Sequence, residues 1–290
     1  MVEKGKFVAK SNRLVEASYR LTLIEQRLIL FAIVEARETQ KGLGDSAITI
    51  EVAKFAEAFG MTGNAIYDQV ADAAKTLFGR FVVLNDRDAP SGKPRKTEVR
   101  WVSSCSYIPG AGTVKIRFAP EMVPYITRLE SEFTTYRLSK IGNLSSVHAV
   151  RLYELLTQFI SLKNREFDIE WLKETLQVSE EYPRLFDLKR RVIDLAVDQI
   201  NTHSDINTSY TQRKTGRTVT HLNFKIQAKE ALPAPLKKPS LTRAYIEKNA
   251  RVGESYEAAT ARLRAERRHK WLILTYLNFK KTSKNCKNTS

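Results

Sequence analysis

Hydrophobic and polar positions in the first 230 residues repeat one order of elements twice. The first copy opens with a helix whose apolar positions share one face: Ile24, Leu28, Phe31 and Ala32. Thr22 and Glu25 have the three-residue spacing of a capping box and predict that the helix begins there. A strand, two helices and a hairpin are expected next, over residues 48–51, 53–59, 62–78, and 80–84 with 98–103.

The second copy has the same elements in the same order. Its first helix is expected to begin at Ser145 or Ser146, with an apolar face formed by Leu152, Leu155, Leu156 and Phe159. The strand, the two helices and the hairpin are expected over residues 167–170, 170–176, 183–200, and 206–211 with 218–227. The two short strands align at an offset of 119 residues, and the same offset places Tyr67 on Phe186.

These are the elements of a winged helix, a helix-turn-helix followed by a β-hairpin wing. The sequence therefore predicts an α+β protein with two winged-helix domains in tandem, over residues 1–130 and 131–230. In such a domain the second helix of the helix-turn-helix enters the DNA major groove, and the wing contacts the backbone or the adjacent groove. Residues 231–290 begin with a proline-rich stretch and are expected to form an extended linker and a basic C-terminal tail.

Charge narrows the class of partner. The chain carries 48 Lys and Arg against 32 Asp and Glu, a net charge of +16, and this excess indicates nucleic acid or an anionic membrane surface. Residues 231–290 hold 14 of the basic and 4 of the acidic residues, so the tail carries most of the net charge. A membrane-surface protein needs a basic helix with large apolar residues, and only residues 256–274 approach that pattern. The sequence therefore favours nucleic acid over a membrane.

Several other classes of protein are excluded or disfavoured. Two cysteines cannot form a disulfide scaffold or a metal cage by themselves. No run reaches the roughly 18–20 apolar residues of a membrane span, and the first residues lack the apolar core of a signal peptide, so we expect a cytoplasmic protein. The sequence contains neither a P-loop nor the His-hydrophobe-His metal motif of rolling-circle nucleases. We therefore expect no enzymatic activity, no cofactor and no metal site.

The predicted helix over residues 183–200 carries its charges in an unfavourable order. One broad arc consists of Leu185, Leu188, Val192, Leu195, Ala196 and Gln199, and the opposite side consists of Arg184, Asp187, Arg190, Arg191, Asp194 and Asp198. Cations crowd the N-terminal half, where the helix dipole favours anions. Cations at that end suit a recognition helix, because that end meets base edges and phosphates. The alternative is a solvated face with the ion pairs Asp187–Arg191 and Arg190–Asp194.

The hairpin that follows this helix has a cationic turn. Gly216 lies among Arg213, Lys214 and Arg217, and its missing side chain lowers the steric cost of the turn. A basic wing tip is suited to phosphate contacts, although exposed hairpins are often charged.

Five spaced segments carry a family resemblance. They are Leu21–Leu28, Arg151–Leu156, Phe186–Ile193, Gln199–Asn201, and Lys214–Arg217 leading into His221–Phe224. Taken in this order they resemble the iteron-binding Rep proteins, the replication initiators of theta-replicating plasmids. The resemblance covers about residues 10–230 and implies two winged-helix domains.

The resemblance also implies roles for the domains and their residues. The first domain would form a dimer interface and contact the DNA backbone in the monomer, and the second would bind the iteron. The DNA-binding residues are then expected to be Arg184, Lys189, Arg190, Arg191, Arg213, Lys214 and Arg217. Implied partners are origin iterons, an operator inverted repeat, a host replication initiator, the replicative helicase and a second copy of the chain. A dimeric plasmid-borne repressor without initiator activity is the alternative.

Overall fold

The computed structural model describes residues 6–39, 41–44, 46–87, 93–127, 132–229 and 254–263. The first copy comprises β1 (Phe7–Ser11), α1 (Asn12–Glu16), β2 (Ser18–Tyr19), α2 (Leu23–Thr39), β3 (Ile48–Glu51), α3 (Val52–Ala58), α4 (Ala65–Leu77), β4 (Phe81–Arg87), β5 (Pro94–Arg100), β6 (Val102–Ile108), β7 (Thr113–Phe118), α5 (Val123–Ile126) and β8 (Phe133–Arg137). The second comprises α6 (Val147–Thr157), β9 (Asn164–Asp168), α7 (Ile169–Leu176), α8 (Leu185–Leu188), a π-helical turn (Lys189–Ile193), α9 (Asp194–His203), β10 (Ile206–Thr215) and β11 (Thr218–Ala228).

The predicted order of helix, strand, two helices and hairpin is present in both copies. The capping box is confirmed: the Thr22 N–H donates to Glu25 Oε2 at 2.7 Å, and the Glu25 N–H donates to Thr22 Oγ1 at 3.2 Å. In the second copy, Ser146 is the residue that caps α6, by accepting from the His148 N–H. Local side-chain chemistry therefore sets where both leading helices begin.

Two predicted elements of the helix-turn-helix units have different bounds in the structure. The helix expected from residue 62 begins at Ala65, because the chain first turns through Gly60 and Gly63, both of which have positive φ. The strand expected over residues 167–170 is β9 and ends at Asp168. The Asp168 carboxylate accepts from the Trp171 N–H at 3.0 Å and starts α7 at the next residue.

The strands form four small antiparallel sheets. Their strand orders are β1-β8, β2-β4-β5, β3-β7-β6 and β10-β11-β9. Of the third sheet only β3 was predicted, and the strand expected over residues 98–103 is divided between β5 and β6. A register shift between Val102 and Ser104 disrupts the two-residue alternation that would have marked β6 as a strand. The predicted domain boundary at residue 130 adjoins residues 128–131, which lie outside the described part, and β8 just beyond it pairs with β1.

A buried polar cluster joins the two copies. We call it the Glu154 network, and its members are Lys10, Tyr19, Tyr136, Arg151 and Glu154. The Lys10 ammonium on β1 donates to both carboxylate oxygens of Glu154 on α6 at 2.9 Å, and the Tyr136 hydroxyl donates to the same carboxylate. All three charged side chains are at most 2% exposed. The network therefore fixes α6 against the first copy with charges that water does not reach.

Arg151 completes this network from the neighbouring turn of α6. Its guanidinium donates to the Val15 carbonyl at 3.0 Å and to the Ala17 carbonyl at 2.7 Å, at the C-terminal end of α1. It also lies 3.9 Å from the centroid of the Tyr19 ring and donates to the Tyr19 hydroxyl. The negative end of the α1 dipole and the aromatic ring thus compensate the second buried cation.

The Glu154 carboxyl stays ionised in this setting. Burial alone would raise its pKa, but the charges of Lys10 and Arg151 and the hydrogen bond from Tyr136 outweigh burial, so the pKa lies below its ordinary value. Burial, together with the same carboxylate, holds the pKa of Tyr136 well above the ordinary range, so the phenol remains a donor.

The segment 254–263 is described by itself. Residues 256–263 are helical, and Arg262 donates twice to the Glu254 carboxylate at 2.8 Å. The predicted proline-rich linker and most of the basic tail lie outside the described residues. Among the described helices, none has both the length and the apolar character that crossing a bilayer requires.

We expect Glu154→Gln to destabilise the protein by about 3–5 kcal/mol, because it leaves Lys10 and Arg151 buried beside a neutral amide. Since the folded-state pKa of Glu154 lies below its ordinary 4.5, its stabilisation is complete above that pH and is lost as the pH falls through the folded-state pKa. The variant should therefore lose less stability than wild type over that acidic range. Urea unfolding at several pH values measures both effects.

The matched control is Glu51→Gln, which removes an exposed ion pair with Lys54. We expect it to cost about 0–1 kcal/mol. Equal costs for the two variants at neutral pH would contradict a structural role for the Glu154 network.

Candidate nucleic-acid interface

The second helix-turn-helix consists of α7 and the continuous helical segment Leu185–His203, which we call the α8–α9 helix. The buried Lys173 ammonium on α7 donates to the Pro183 carbonyl at 3.1 Å and to Glu170 at 2.9 Å. Gln177 ends α7 in the left-handed conformation, at φ 56°, and turns the chain toward Pro183. The start of the α8–α9 helix is therefore held to α7 by a buried charge-assisted hydrogen bond.

The π-helical turn changes which residues of this helix are buried. Asp194 donates its N–H to the Lys189 carbonyl, five residues back, which closes a wider turn than an α-helix has. The rotation of the following residues lags accordingly. Leu195, expected on the buried arc, is therefore 53% exposed, and Ile193 is buried in its place. The expected limits of residues 183 and 200 are also corrected, to Leu185 and His203.

Three of the expected DNA-binding arginines lie exposed on the N-terminal half of this helix. Arg184 occupies the N-cap position, and Arg190 and Arg191 lie in the π turn. The alternative ion pairs Asp187–Arg191 and Arg190–Asp194 are absent from the described part of the chain, and Asp194 instead accepts from the Tyr210 hydroxyl at 2.5 Å. Within the described residues the three guanidiniums have no acidic partner.

Lys189 occupies a different environment from the arginines beside it. Its ammonium lies 5.9 Å from the centroid of the Tyr210 ring on β10. Burial and the hydrogen bond to Asp194 raise the pKa of Tyr210, so the phenol stays protonated and keeps donating. Lys189 and Asp194 thus hold the wing strand against the α8–α9 helix, and Lys189 faces the wing as well as solvent.

The wing is a long hairpin of β10 and β11. Its inner face buries Leu222, Phe224 and Ile226, which alternate along β11. At the tip only Gly216 has positive φ, 62°, which is the pattern of a type II′ turn. Lys214 and Arg217 are exposed and have no acidic partner among the described residues.

Arg213 differs from the two other cations of the wing. It donates from Nε and Nη2 to the Glu166 carboxylate on β9, both at 2.9 Å. The hydrogen bond to Arg213 lowers the pKa of Glu166 and in turn raises the pKa of Arg213. Arg213 is thus engaged within the sheet, and a phosphate would have to compete with Glu166 for it.

Two polar residues with structural roles were missed at the sequence level. The Gln199 side-chain oxygen accepts from the Ser145 and Ser146 N–H groups at 2.9 and 3.1 Å and so caps α6. The Asn201 amide pairs with both the N–H and the carbonyl of Thr208 and ties α9 to β10. Gln199 stood out as a polar residue on an otherwise apolar arc, but its partner could not be inferred from the sequence.

The first copy exposes a different chemistry on its own helix-turn-helix. The exposed charged residues of α4 are Asp68, Asp72 and Lys75, and Lys75 pairs with Asp72 at 3.1 Å. The first copy reaches the second helix-turn-helix through its hairpin instead, because Lys96 on β5 donates to Glu174 on α7 at 2.9 Å. The cation-bearing helix therefore lies in the second copy, and the β4–β5 hairpin lies beside α7, the other helix of that helix-turn-helix.

The chain is similar to several known proteins. The crystal structure of the Pi initiator protein in complex with iteron DNA matches with a TM-score of 0.64 and 21% identity, and covers 79% of this chain and 100% of that chain. The WH1 domain of the MSBI1.176 replication protein, isolated from a multiple sclerosis patient, is 40% identical over 38% of this chain and 84% of that domain, with a TM-score of 0.32. An uncharacterised 27.6 kDa protein of Escherichia coli is 26% identical over 227 residues, which are 75% of this chain and 94% of that protein.

Two family models match consecutive parts of the chain. The model described as "Initiator Replication protein, WH1" matches residues 7–157, and the model described as "Initiator Rep protein, WH2" matches residues 168–226. The chain therefore belongs to the initiator replication protein family and consists of two winged-helix domains, WH1 followed by WH2.

Proposed function

We propose that this protein initiates plasmid replication by binding directly repeated double-stranded sites at the origin, with the α8–α9 helix in the major groove and the wing on the backbone. The observation that carries the proposal is the exposed set Arg184, Arg190 and Arg191, unpaired within the described residues. The protein binds and deforms DNA without enzymatic activity and without a cofactor. A host initiator and the replicative helicase supply the ATP-driven steps in the bacterial cytoplasm.

The chemistry of the helix supports base recognition. An arginine guanidinium matches the O6 and N7 acceptors of guanine bidentately. Asp187 lies half-buried one turn before Arg191 and has no ion pair in the described part of the chain. A carboxylate there repels phosphates but accepts from the N4 amino group of cytosine, so Asp187 joins the proposed base contacts. The Pi initiator, which shares this fold, was solved in complex with iteron DNA, and this supports DNA as the partner.

WH1 is proposed to add backbone contacts. Its β5 strand carries Arg95, Lys96 and Arg100, and the Lys96–Glu174 ion pair holds that strand beside α7. In a bound helix-turn-helix the first helix crosses the DNA backbone, so a hairpin beside α7 lies near phosphates. The Glu154 network joins α6 to β2, and β2 pairs with β4 of this hairpin.

WH1 is also proposed to form a dimer that represses the protein's own gene at an inverted repeat. The strand β6 is an edge of its sheet, seven residues long, and contains no charged residue and no proline. Edge strands of this kind are templates for pairing with a second chain. Two copies of β6 can extend their sheets across a twofold axis.

Arg190→Ala and Arg191→Ala should each change the free energy of unfolding by no more than about 0.5 kcal/mol, because neither guanidinium has an ion pair among the described residues. At least one should lose about 1–3 kcal/mol of discrimination between specific and random duplex DNA. Melting curves and binding isotherms on a duplex selected by the wild-type protein from a randomised pool measure both quantities.

The matched controls are Lys214→Ala and Arg217→Ala on the wing. They should weaken binding to all sequences about equally and reduce the salt slope by roughly one contact each. If both helix variants melted lower and kept their preference for the selected duplex, the arginines would be structural and the α8–α9 helix would not be the recognition helix.

Deletion of residues 231–290, which carry a net charge of +10, should reduce affinity for all DNA and flatten its salt dependence. The ratio of specific to random affinity should hardly change, because the base contacts are assigned to WH2. A collapse of that ratio in salt-titrated binding assays would show that the tail itself contributes specificity.

Ser106→Lys places a charge on the outer face of β6 and should shift a concentration-dependent dimer toward monomer in sedimentation equilibrium. Ser209→Lys on β10 is the matched exposed control and should leave the dimer intact. If the two variants sediment alike, β6 is not the interface. Replication of an origin plasmid in the presence of the wild-type chain separates an initiator from a repressor without initiator activity.

A further inference from the structure

The first turn of the α8–α9 helix presents an aromatic ring that the fold does not use. Phe186 is 69% exposed, while Leu188 is buried and Leu185 is packed against the core. Among the described residues, Phe186 stacks on no other aromatic ring and makes no cation–π contact. The nearby Lys189 ammonium lies over the Tyr210 ring instead. The apolar anchoring of this turn is therefore complete without Phe186.

The equivalent position in WH1 has a different environment. Tyr67 lies 119 residues earlier and is 37% exposed. Its Cε1 lies so close to Gly112 that a Cβ placed there would be only 3.0 Å away, so the ring lies against the turn between β6 and β7. The same fold position thus holds a ring packed on its own domain in WH1 and an open ring in WH2.

A single exposed hydrophobic residue is ordinary on a protein surface. Phe186, however, lies between Arg184 and the Arg190–Arg191 pair, at the end of the helix that meets base edges in a bound helix-turn-helix. The major-groove edges of the bases offer hydrogen-bonding groups at nearly every position, and their apolar group is the C5-methyl of thymine. A phenyl ring facing that groove therefore has one chemically matched partner.

We propose that Phe186 is a specificity-determining residue that contacts the C5-methyl group of a pyrimidine, thymine in unmodified DNA, beside the bases bound by the arginines. This inference rests on the proposed function, because it requires the α8–α9 helix to enter the major groove. The contact supplies discrimination without charge, so it adds no counterion release and does not depend on salt.

The test replaces each thymine of the selected duplex, one at a time, with deoxyuridine, which removes only the methyl group. For the wild-type full chain, at least one replacement should weaken binding by about three- to tenfold, as expected when one methyl contact is lost. Phe186→Ala should bind the thymine and uracil duplexes equally at that position. Phe186→Leu, which keeps an apolar side chain, should retain a dependence of about twofold or more.

The matched control is Leu195→Ala, which removes the other exposed apolar side chain of the helix and should leave the methyl dependence unchanged. A 5-methylcytosine placed at the sensitive position should bind better than cytosine for wild type and not for Phe186→Ala, which distinguishes a general C5-methyl contact from other features of thymine. If deoxyuridine weakened binding but 5-methylcytosine bound no better than cytosine, the proposed methyl contact would be overturned.

The inference fails if no uracil replacement weakens wild-type binding, or if the dependence persists in Phe186→Ala. It also fails if Phe186→Ala changes the oligomeric state instead of methyl dependence, because the ring would then belong to a protein interface. In each of these outcomes the protein still selects a duplex, and its binding to that duplex still depends on the arginines of the α8–α9 helix. A chain that selects no duplex at all overturns the proposed function as well, so the two failures are distinguishable.

Discussion

The ionised Glu154 carboxylate between Lys10 and Arg151 is the constraint on which the rest of this structure depends. Two cations and one anion are removed from water there, and they are tolerated because a helix end, an aromatic ring and two tyrosine hydroxyls satisfy them. A buried polar network of this kind has one satisfied geometry. It fixes α6, which packs against α9, relative to β1 and to β2, the strand that pairs with β4.

The elements that could be predicted were those whose signal is local. The capping box at Thr22 and Glu25 and the apolar face of α6 depend on neighbours within one or two turns, and the structure has both. The strand β6 was missed because its register shift breaks the alternation by which a strand is recognised. Leu195 was misplaced for a related reason: helical periodicity assumes 100° per residue, and the π turn does not keep it.

The candidate site shows the same limit for charges. The unfavourable charge order along the α8–α9 helix correctly indicated that its cations were not placed for ion pairs within that helix. For Arg213 the neighbouring residues gave no warning, because its partner Glu166 is 47 residues away on β9. The partner of Arg151, Glu154, is three residues away, yet the motif that contains both indicated a family and not a buried network. Residue type and spacing identify candidate cations, but tertiary pairing decides which of them remain available.

Because the two helix-turn-helix units differ in charge, the WH1 and WH2 ends of the monomer are chemically distinct. WH2 presents cations on its second helix, whereas the exposed face of α4 in WH1 carries Asp68 and the Asp72–Lys75 pair. Duplicated domains with the same charge could bind DNA in either of two senses, exchanging roles without loss. With one cationic helix and a buried polar network between the copies, the proposed binding to DNA has only one favourable sense. On sites repeated in the same direction, every bound molecule would then face the same end of the array, so a row of identical proteins would acquire a polarity that none of its individual contacts encodes.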